Sequence, residues 1–524
     1  MITPNRLNHN NTKEFSIPKF HRRADLTNEK RFMIGSLALE AQQSKIYGSM
    51  TDIAKQFNVC RQIVYDFKNR VQEMITKTFS PSSKKSKKIN KKKELAHMAS
   101  LRFENRSPID GISMNMKRLN FPYTSSGYIS QNLSFIGNLM PNTIEIETDA
   151  MIFLIIAIDE LYSKNQPILI SVDPISSAIL KIELASNRSA KTWSKHLQEL
   201  NNSGIKVIKV VNDEGKGLCA AIEKELPDVV KQFDTFHAIS HRLGAFVPKL
   251  EKRVNKEKDK VEKCEEDFYR VKREIVLEKK FELWEKAVED YKEKLEIYNN
   301  FKYLYHCAIN QLKPFHHNGE IREKQKAKQE IETALDLIES LGEIEINKKI
   351  TGIRKILPDL LNYFDQTKKS VDILREMKLD EEIIKTLSLG WQWNKAVVKA
   401  KLTERKKEAC KQREDYLERA KMILKSDYAK IKADVFSELD NIVQASSMVE
   451  NINSILRPYL DNSKNQINQE FLNFFMFYHN HRRYRAGKRK GKTPNELLTG
   501  IEQTEDWTEL MCERIKKKVP DFFH

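Results

Sequence analysis

The chain has 524 residues, of which 40% are apolar; that is enough for several domains and too apolar for a globally disordered polymer. Its 91 Lys and Arg against 73 Asp and Glu leave a formal charge of +18, which favours a polyanionic partner. Six scattered cysteines form no Cys-x-x-Cys pair, which excludes a zinc ribbon and a disulfide framework; with no apolar leader at Met1 and no apolar run long enough to span a bilayer, a cytoplasmic protein is expected.

Residues 1–30 are polar and read as loosely ordered. From Lys30 an apolar stripe (Phe32, Met33, Ile34, Leu37, Leu39, Ala41) predicts a helix. The stretch Gly48 to Phe67 predicts a helix, a tight turn at Asn58 and a second helix that buries Val59, Ile63 and Val64. Arg61, Gln62, Tyr65 and Lys68 are expected on its outward face. This pattern resembles a helix-turn-helix, so residues 1–79 are expected to form a DNA-binding domain. A lysine-rich linker over 80–95 follows, suited to holding phosphates without reading sequence. Residues 96–149 predict a second small helical region, also a candidate for DNA binding, with Ser125 or Ser126 capping a helix.

Residues 150–245 change character. Apolar runs at 152–162, 167–173 and 178–185 predict three strands, with a turn at Asp173-Pro174. A helix from Ala190, a strand ending at Asp213, a helix after Gly217 and a short run to Phe233 complete an α/β layer. Residues 246–440 read as a large all-α insertion, with charged heptad-like patterning over 249–300 that predicts an arm. Residues 441–500 predict a final helical unit with a basic segment containing Arg482, Arg483 and Arg485, and Thr493-Pro-Asn-Glu caps a short helix. Residues 501–524 are left as a tail.

Carboxylates at the ends of buried strands are costly unless paired or bound to a cation. Asp159 lies inside the first strand run, Asp213 ends another, and Glu450 opens a helical pattern whose neighbours Met448, Val449, Ile452 and Ile455 look buried. Alternatives stand beside these. A register shift of one residue would substitute Glu160 for Asp159, and Asp173 is a rival first acid. Asp461 and Glu470 lie in more polar surroundings than Glu450. His237 fits a role beside the acids or a structural one, and His241 could share its face. Lys216 and the amides near Gly215 and Gly217 could hold phosphate at a helix start.

Taken in order, these motifs resemble a DDE transposase of a bacterial insertion sequence. Asp159 falls in the first of three consecutive strands, and Asp213 ends the strand after the first helix. Asp234-Thr-Phe-His237 is similar to an Asp-x-x-His pattern of several such families. Glu450 comes after a large helical insertion, as in the hAT-like and mutator-like branches. The ending Phe474 to Tyr484, followed by Lys492-Thr-Pro-Asn-Glu-Leu-Leu, looks like that of many bacterial transposases.

The resemblance implies an RNase H-like catalytic core in which Asp159, Asp213 and Glu450 hold Mg²⁺, with Mn²⁺ as a substitute, and Asp234 and His237 stand behind them. It implies double-stranded DNA as partner, both the element's terminal inverted repeats and the target. It further implies a dimer or larger assembly on DNA, and cleavage followed by strand transfer without a covalent enzyme intermediate.

Overall fold

The computed structural model describes residues 25–79, 90–146, 151–400, 402–464 and 466–523, in two compact units. The expectations for residues 1–24, and for the linker over 80–89, lie outside the described residues.

The first unit comprises the residues up to 139 together with those from 508 onward. Helices α1 (Asn28–Gln43), α2 (Ser49–Gln56) and α3 (Arg61–Phe79) pack around Ile34, Ala38, Ile53, Ala54, Val64 and Phe67. The turn between α2 and α3 is made by Asn58 at φ 49°, in the left-handed region that asparagine tolerates. Arg61, Gln62 and Tyr65 are exposed, but Lys68 is only 8% exposed. This corrects the expected outward position of Lys68. It lies four residues after Val64, on the face that also carries Phe67 and Val71, while its ammonium stands over the Tyr65 ring.

A second trio follows: α4 (Lys91–Phe103), α5 (Ile109–Arg118) and α6 (Ser126–Leu139). The end of the supposed linker is therefore helical, because Asn90 caps α4 by accepting the Lys92 N–H. Ser125 accepts the Tyr128 N–H at the start of α6.

The second unit, residues 140–507, holds a five-stranded sheet of order β3-β2-β1-β4-β5. Its strands are β1 (Ile152–Ser163), β2 (Gln166–Val172), β3 (Ile179–Leu184), β4 (Ile205–Asn212) and β5 (Val230–Phe233). β1 pairs antiparallel with β2 and parallel with β4, and β5 is parallel to β4. β1 is buried continuously from Leu154 to Ile158, as expected of a strand covered on both faces. Helices α7 (Ala190–Asn201) and α8 (Lys216–Glu225) supply the crossovers.

After β5 a π-helical turn, Phe236–His241, runs into α9 (Arg242–Gly244) and then the helical insertion. Helices α10 (Phe246–Arg270) and α11 (Glu274–Gln311) form an antiparallel hairpin. Further helices are α12 (Lys324–Glu339), α13 (Ile344–Leu360), α14 (Tyr363–Glu376), α15 (Glu381–Lys399), α16 (Thr403–Leu424) and α17 (Tyr428–Leu439). They share one apolar core that includes Phe301, Ile331, Ile353, Leu357 and Trp391, and that reaches Ile239 and Leu243 beside the π-turn.

The chain then returns to the sheet as α18 (Ser447–Asn462) and α19 (Gln469–His481). In α20 (Pro494–Thr499) Thr493 and Glu496 form the expected capping box. The supposed tail contains α21 (Trp507–Lys518), whose Arg514 donates to the Leu139 carbonyl within the first unit. The mixed five-stranded sheet with mostly helical surroundings forms the α/β layer expected from the sequence. Among the described residues no helix is long and apolar enough to cross a membrane.

Candidate active site

Sheet register places the first two acids. Ile158 pairs with Asn212 as the last parallel pair of β1 and β4, so Asp159 and Asp213 each lie one residue beyond it on neighbouring strands. Strand alternation separates the two faces of the sheet. Asp159 stands opposite Ile170, on the face where the Asn453 amide of α18 donates to its Oδ2 at 3.1 Å. Glu160 stands opposite Leu169, on the other face, and pairs with Arg188 just ahead of α7.

Both acids border a cleft of about 720 Å³, lined also by Glu214, Gly215, Asp234, His237, Arg242 and Ser446, and by Glu450, Asn453 and Arg457 of α18. The last three are spaced i, i+3 and i+7, one face of a helix. Glu450 meets the cleft through His237, whose Nε2 is 2.9 Å from Oε1. The π-turn presents that ring: His237 and His241 lie edge to face there, while Ile239 is fully buried. π-Turns recur at functional sites because they re-aim side chains that an α-helix would carry elsewhere.

Burial pushes the Asp159 carboxyl up to about 7, and the nearby charges of Asp213 and Glu160 add to the rise, against the Glu160 N–H and His237, which lower it. Asp213 folds back as a turn residue: its Oδ1 accepts the Gly215 N–H at 3.0 Å. Glu214 pairs with Arg242 at 2.7 Å.

Of the rival acids, Glu160 also lines the cleft, paired with Arg188, and the others lie elsewhere. Asp173 is buried and accepts from the Ile175 and Ser176 N–H groups and the Ser176 hydroxyl, so its carboxylate holds the β2–β3 turn. Neither Asp461 nor Glu470 lines the cleft. Gly215 reaches it but Lys216 does not, and Gly217 is needed for packing: a Cβ there would lie 2.4 Å from the Arg188 carbonyl oxygen.

Of the basic segment, Arg483 is committed internally, to Glu496 and to the carbonyls of Gly491 and Gln503. Arg482 sits between the Tyr478 and Tyr484 rings, and Arg485 is exposed. None of the three lines the cleft. Sequence reasoning passed over Asn453 and Arg457, although their spacing from Glu450 was open to view.

As hard oxygen donors, Asp159, Asp213 and Glu450 suit Mg²⁺ in kind, and a bound cation would offset the burial and the neighbouring negative charge that raise Asp159. Among the described residues, though, no three His, Cys, Asp or Glu side chains converge as a ligand set, and Glu450 is paired with His237.

Residues 156–371 match a family model, DDE_Tnp_ISL3, described as a transposase. No curated protein matches the chain. Among solved structures, the Drosophila P element transposase strand transfer complex is aligned over 88% of this chain and 100% of that one, at 11% identity and a TM-score of 0.24; at that score the two do not superpose as wholes. Residues 156–371, which contain both strand acids and most of the insertion, are therefore similar to a transposase family.

Proposed function

We propose that the chain is a DNA transposase that binds the ends of its element, cuts there in a Mg²⁺-dependent step and joins the freed 3′-hydroxyl to target DNA. The observation that carries this reading is the shared cleft: Asp159, Asp213 and Glu450 come from separate segments of the chain and line one hollow with Arg457. In this reading the three acids hold the metal, which supplies Lewis acidity at the phosphodiester and at the attacking oxygen. Asn453 orients the Asp159 carboxylate through its amide. Arg457, exposed on the cleft face of α18, offers a guanidinium to a phosphate. His237 holds Glu450 at the cleft through its Nε2, and Glu450 would serve as the third acid for the metal.

The exposed Arg61, Gln62 and Tyr65 of α3 read a DNA groove in this proposal, and Arg482 and Arg485 contact phosphates. Arg483 has a structural task instead, and Lys68 lies on the buried face of α3. The chain acts as a dimer or larger assembly on paired element ends.

A second reading is a transposase-derived protein that binds DNA without cutting it. The His237–Glu450 pair, which stands in place of a converged three-acid cluster, favours it. Incubation of the protein with Mg²⁺ and DNA carrying its own element end separates the two. Metal-dependent nicks that join to a target, lost in Asp213→Asn while binding persists, support the first. Binding by both proteins with cutting by neither supports the second.

A further inference from the structure

The segments that line the cleft converge on one residue at its back. Asp234 follows β5, and its backbone N–H donates to the Asn212 carbonyl at 3.0 Å, one residue before Asp213. The residue is 2% exposed, and its carboxylate reaches the other two segments. Oδ1 accepts the backbone N–H of His237 at 3.1 Å, the residue whose ring meets Glu450. Oδ2 accepts both the N–H and the hydroxyl of Ser446, at 2.7 and 2.6 Å. Ser446 is the N-cap of α18, one turn ahead of Glu450. Thr235 doubles the link, its N–H and hydroxyl both donating to the Gln444 carbonyl at 3.1 and 3.0 Å.

We propose that Asp234 is a positioning residue whose buried carboxylate clamps the start of α18 and the π-turn to the end of β4, and so sets where Glu450 stands against Asp213. The inference rests on the reading of the cleft as catalytic. The chemistry is specific to a carboxylate. Its two oxygens accept from separate elements at once, in short charge-assisted bonds. An asparagine offers one acceptor oxygen and turns an NH₂ toward donors on the other side. Alanine would leave the buried Ser446 and His237 N–H groups without this acceptor. No spacing in the sequence shows the clamp, because residues 234 and 446 are 212 positions apart.

The test compares full-length Asp234→Asn, Ser446→Ala and the double variant with wild type. Amide hydrogen exchange is followed in the free protein, and cleavage of an element end is measured with kcat and KM separated. The clamp predicts exchange faster by about tenfold or more at residues 444–450 and 236–238, with β1 and β2 unchanged. It predicts kcat lower by about 10–100-fold, as for other groups that orient metal ligands, with KM for DNA unchanged. The double variant should be no worse than the poorer single one, since both act through one bond.

Unchanged exchange at residues 444–450, or faster exchange with unaltered kcat, overturns the proposal. If Asp234→Asn loosens the whole fold, Ser446→Ala decides, since it keeps the carboxylate and removes one hydroxyl. A wild type that binds DNA but never cuts it overturns the catalytic reading of the cleft and with it the claim on Glu450. The exchange data then report on the bond alone.

Discussion

Two polar clusters sit on opposite faces of the same sheet, and they differ in how far their charges are satisfied. On the α7 face, His196 is fully buried, with one ring nitrogen 2.9 Å from the Ser171 hydroxyl and the other 3.3 Å from Glu183, while the buried Lys181 pairs with Glu199 at 2.6 Å. The residue types are those of a hydrolase triad, yet Ser171 and His196 have no exposed surface and line no cavity among those described. On the α18 face, Asp159 and Asp213 adjoin an open cleft, and the buried Oδ1 of Asn453 has no partner. Buried polar groups that satisfy one another hold a fold together; those held unsatisfied beside a hollow are candidates for chemistry.

Four substitutions sharpen or break this contrast. The largest effect is expected for Asp213→Asn: DNA cleavage falls by about 10³-fold or more, some 4 kcal/mol of barrier, with the melting temperature little changed. Near-normal cleavage would remove the open cluster from the chemistry. Next is His196→Ala, which leaves Ser171 and Glu183 without their shared partner. It should lower stability by about 2–4 kcal/mol in denaturant unfolding and leave cleavage per folded molecule intact. A selective loss of cleavage would mean that the closed cluster is more than structural.

Third in size is the stability effect of Asp159→Asn, which should stabilise the metal-free protein. In the fold this carboxyl is raised to about 7 from an ordinary value of 3.8, so between those values the folded state binds the extra proton. Wild-type stability from this group is therefore greatest at low pH and falls as pH rises from about 4 to 7. The variant's advantage should be absent below pH 4 and full above 7, at about 1–3 kcal/mol after allowance for water in the cleft. Melting curves across that range check it, and equal curves would show that Asp159 carries no such burden. The smallest effect is expected for Arg188→Ala, which breaks the pair with Glu160. Arg188 is exposed, so the loss should be barely detectable in denaturant unfolding and should diminish with salt.

Legibility in the sequence followed the range of the interactions. The strands could be read because each is a continuous apolar run bounded by turn residues. The preference for Asp159 over Asp173 rested on counting strands, and Asp173 does hold the β2–β3 turn. Lys68 was misread because its charge was weighed ahead of its helical phase. What stayed hidden depends on register or on distant partners. The His196 cluster exists because β2 and β3 bring Ser171 and Glu183 beneath α7. The His237–Glu450 pair spans 213 positions, and only the return of the chain after the insertion creates it. Asn453 and Arg457 were readable in principle from their phase with Glu450, but a helix rich in polar residues does not show which face meets a cleft.

The chain leaves the sheet at Asp234 and Thr235, just ahead of the π-turn and the insertion, and comes back at Ser446, two points joined by hydrogen bonds. Closing a loop between fixed neighbouring ends has an entropy that grows only with the logarithm of its length, about 0.6 kcal/mol for each doubling. The helices in between have an apolar core of their own. The acids of the cleft are thus indifferent, thermodynamically, to how much chain intervenes between the second and the third. This junction can take up long helical additions, or give them up, at little energetic expense to the geometry of the acids, and a motif defined by fixed spacing would not find its last member here.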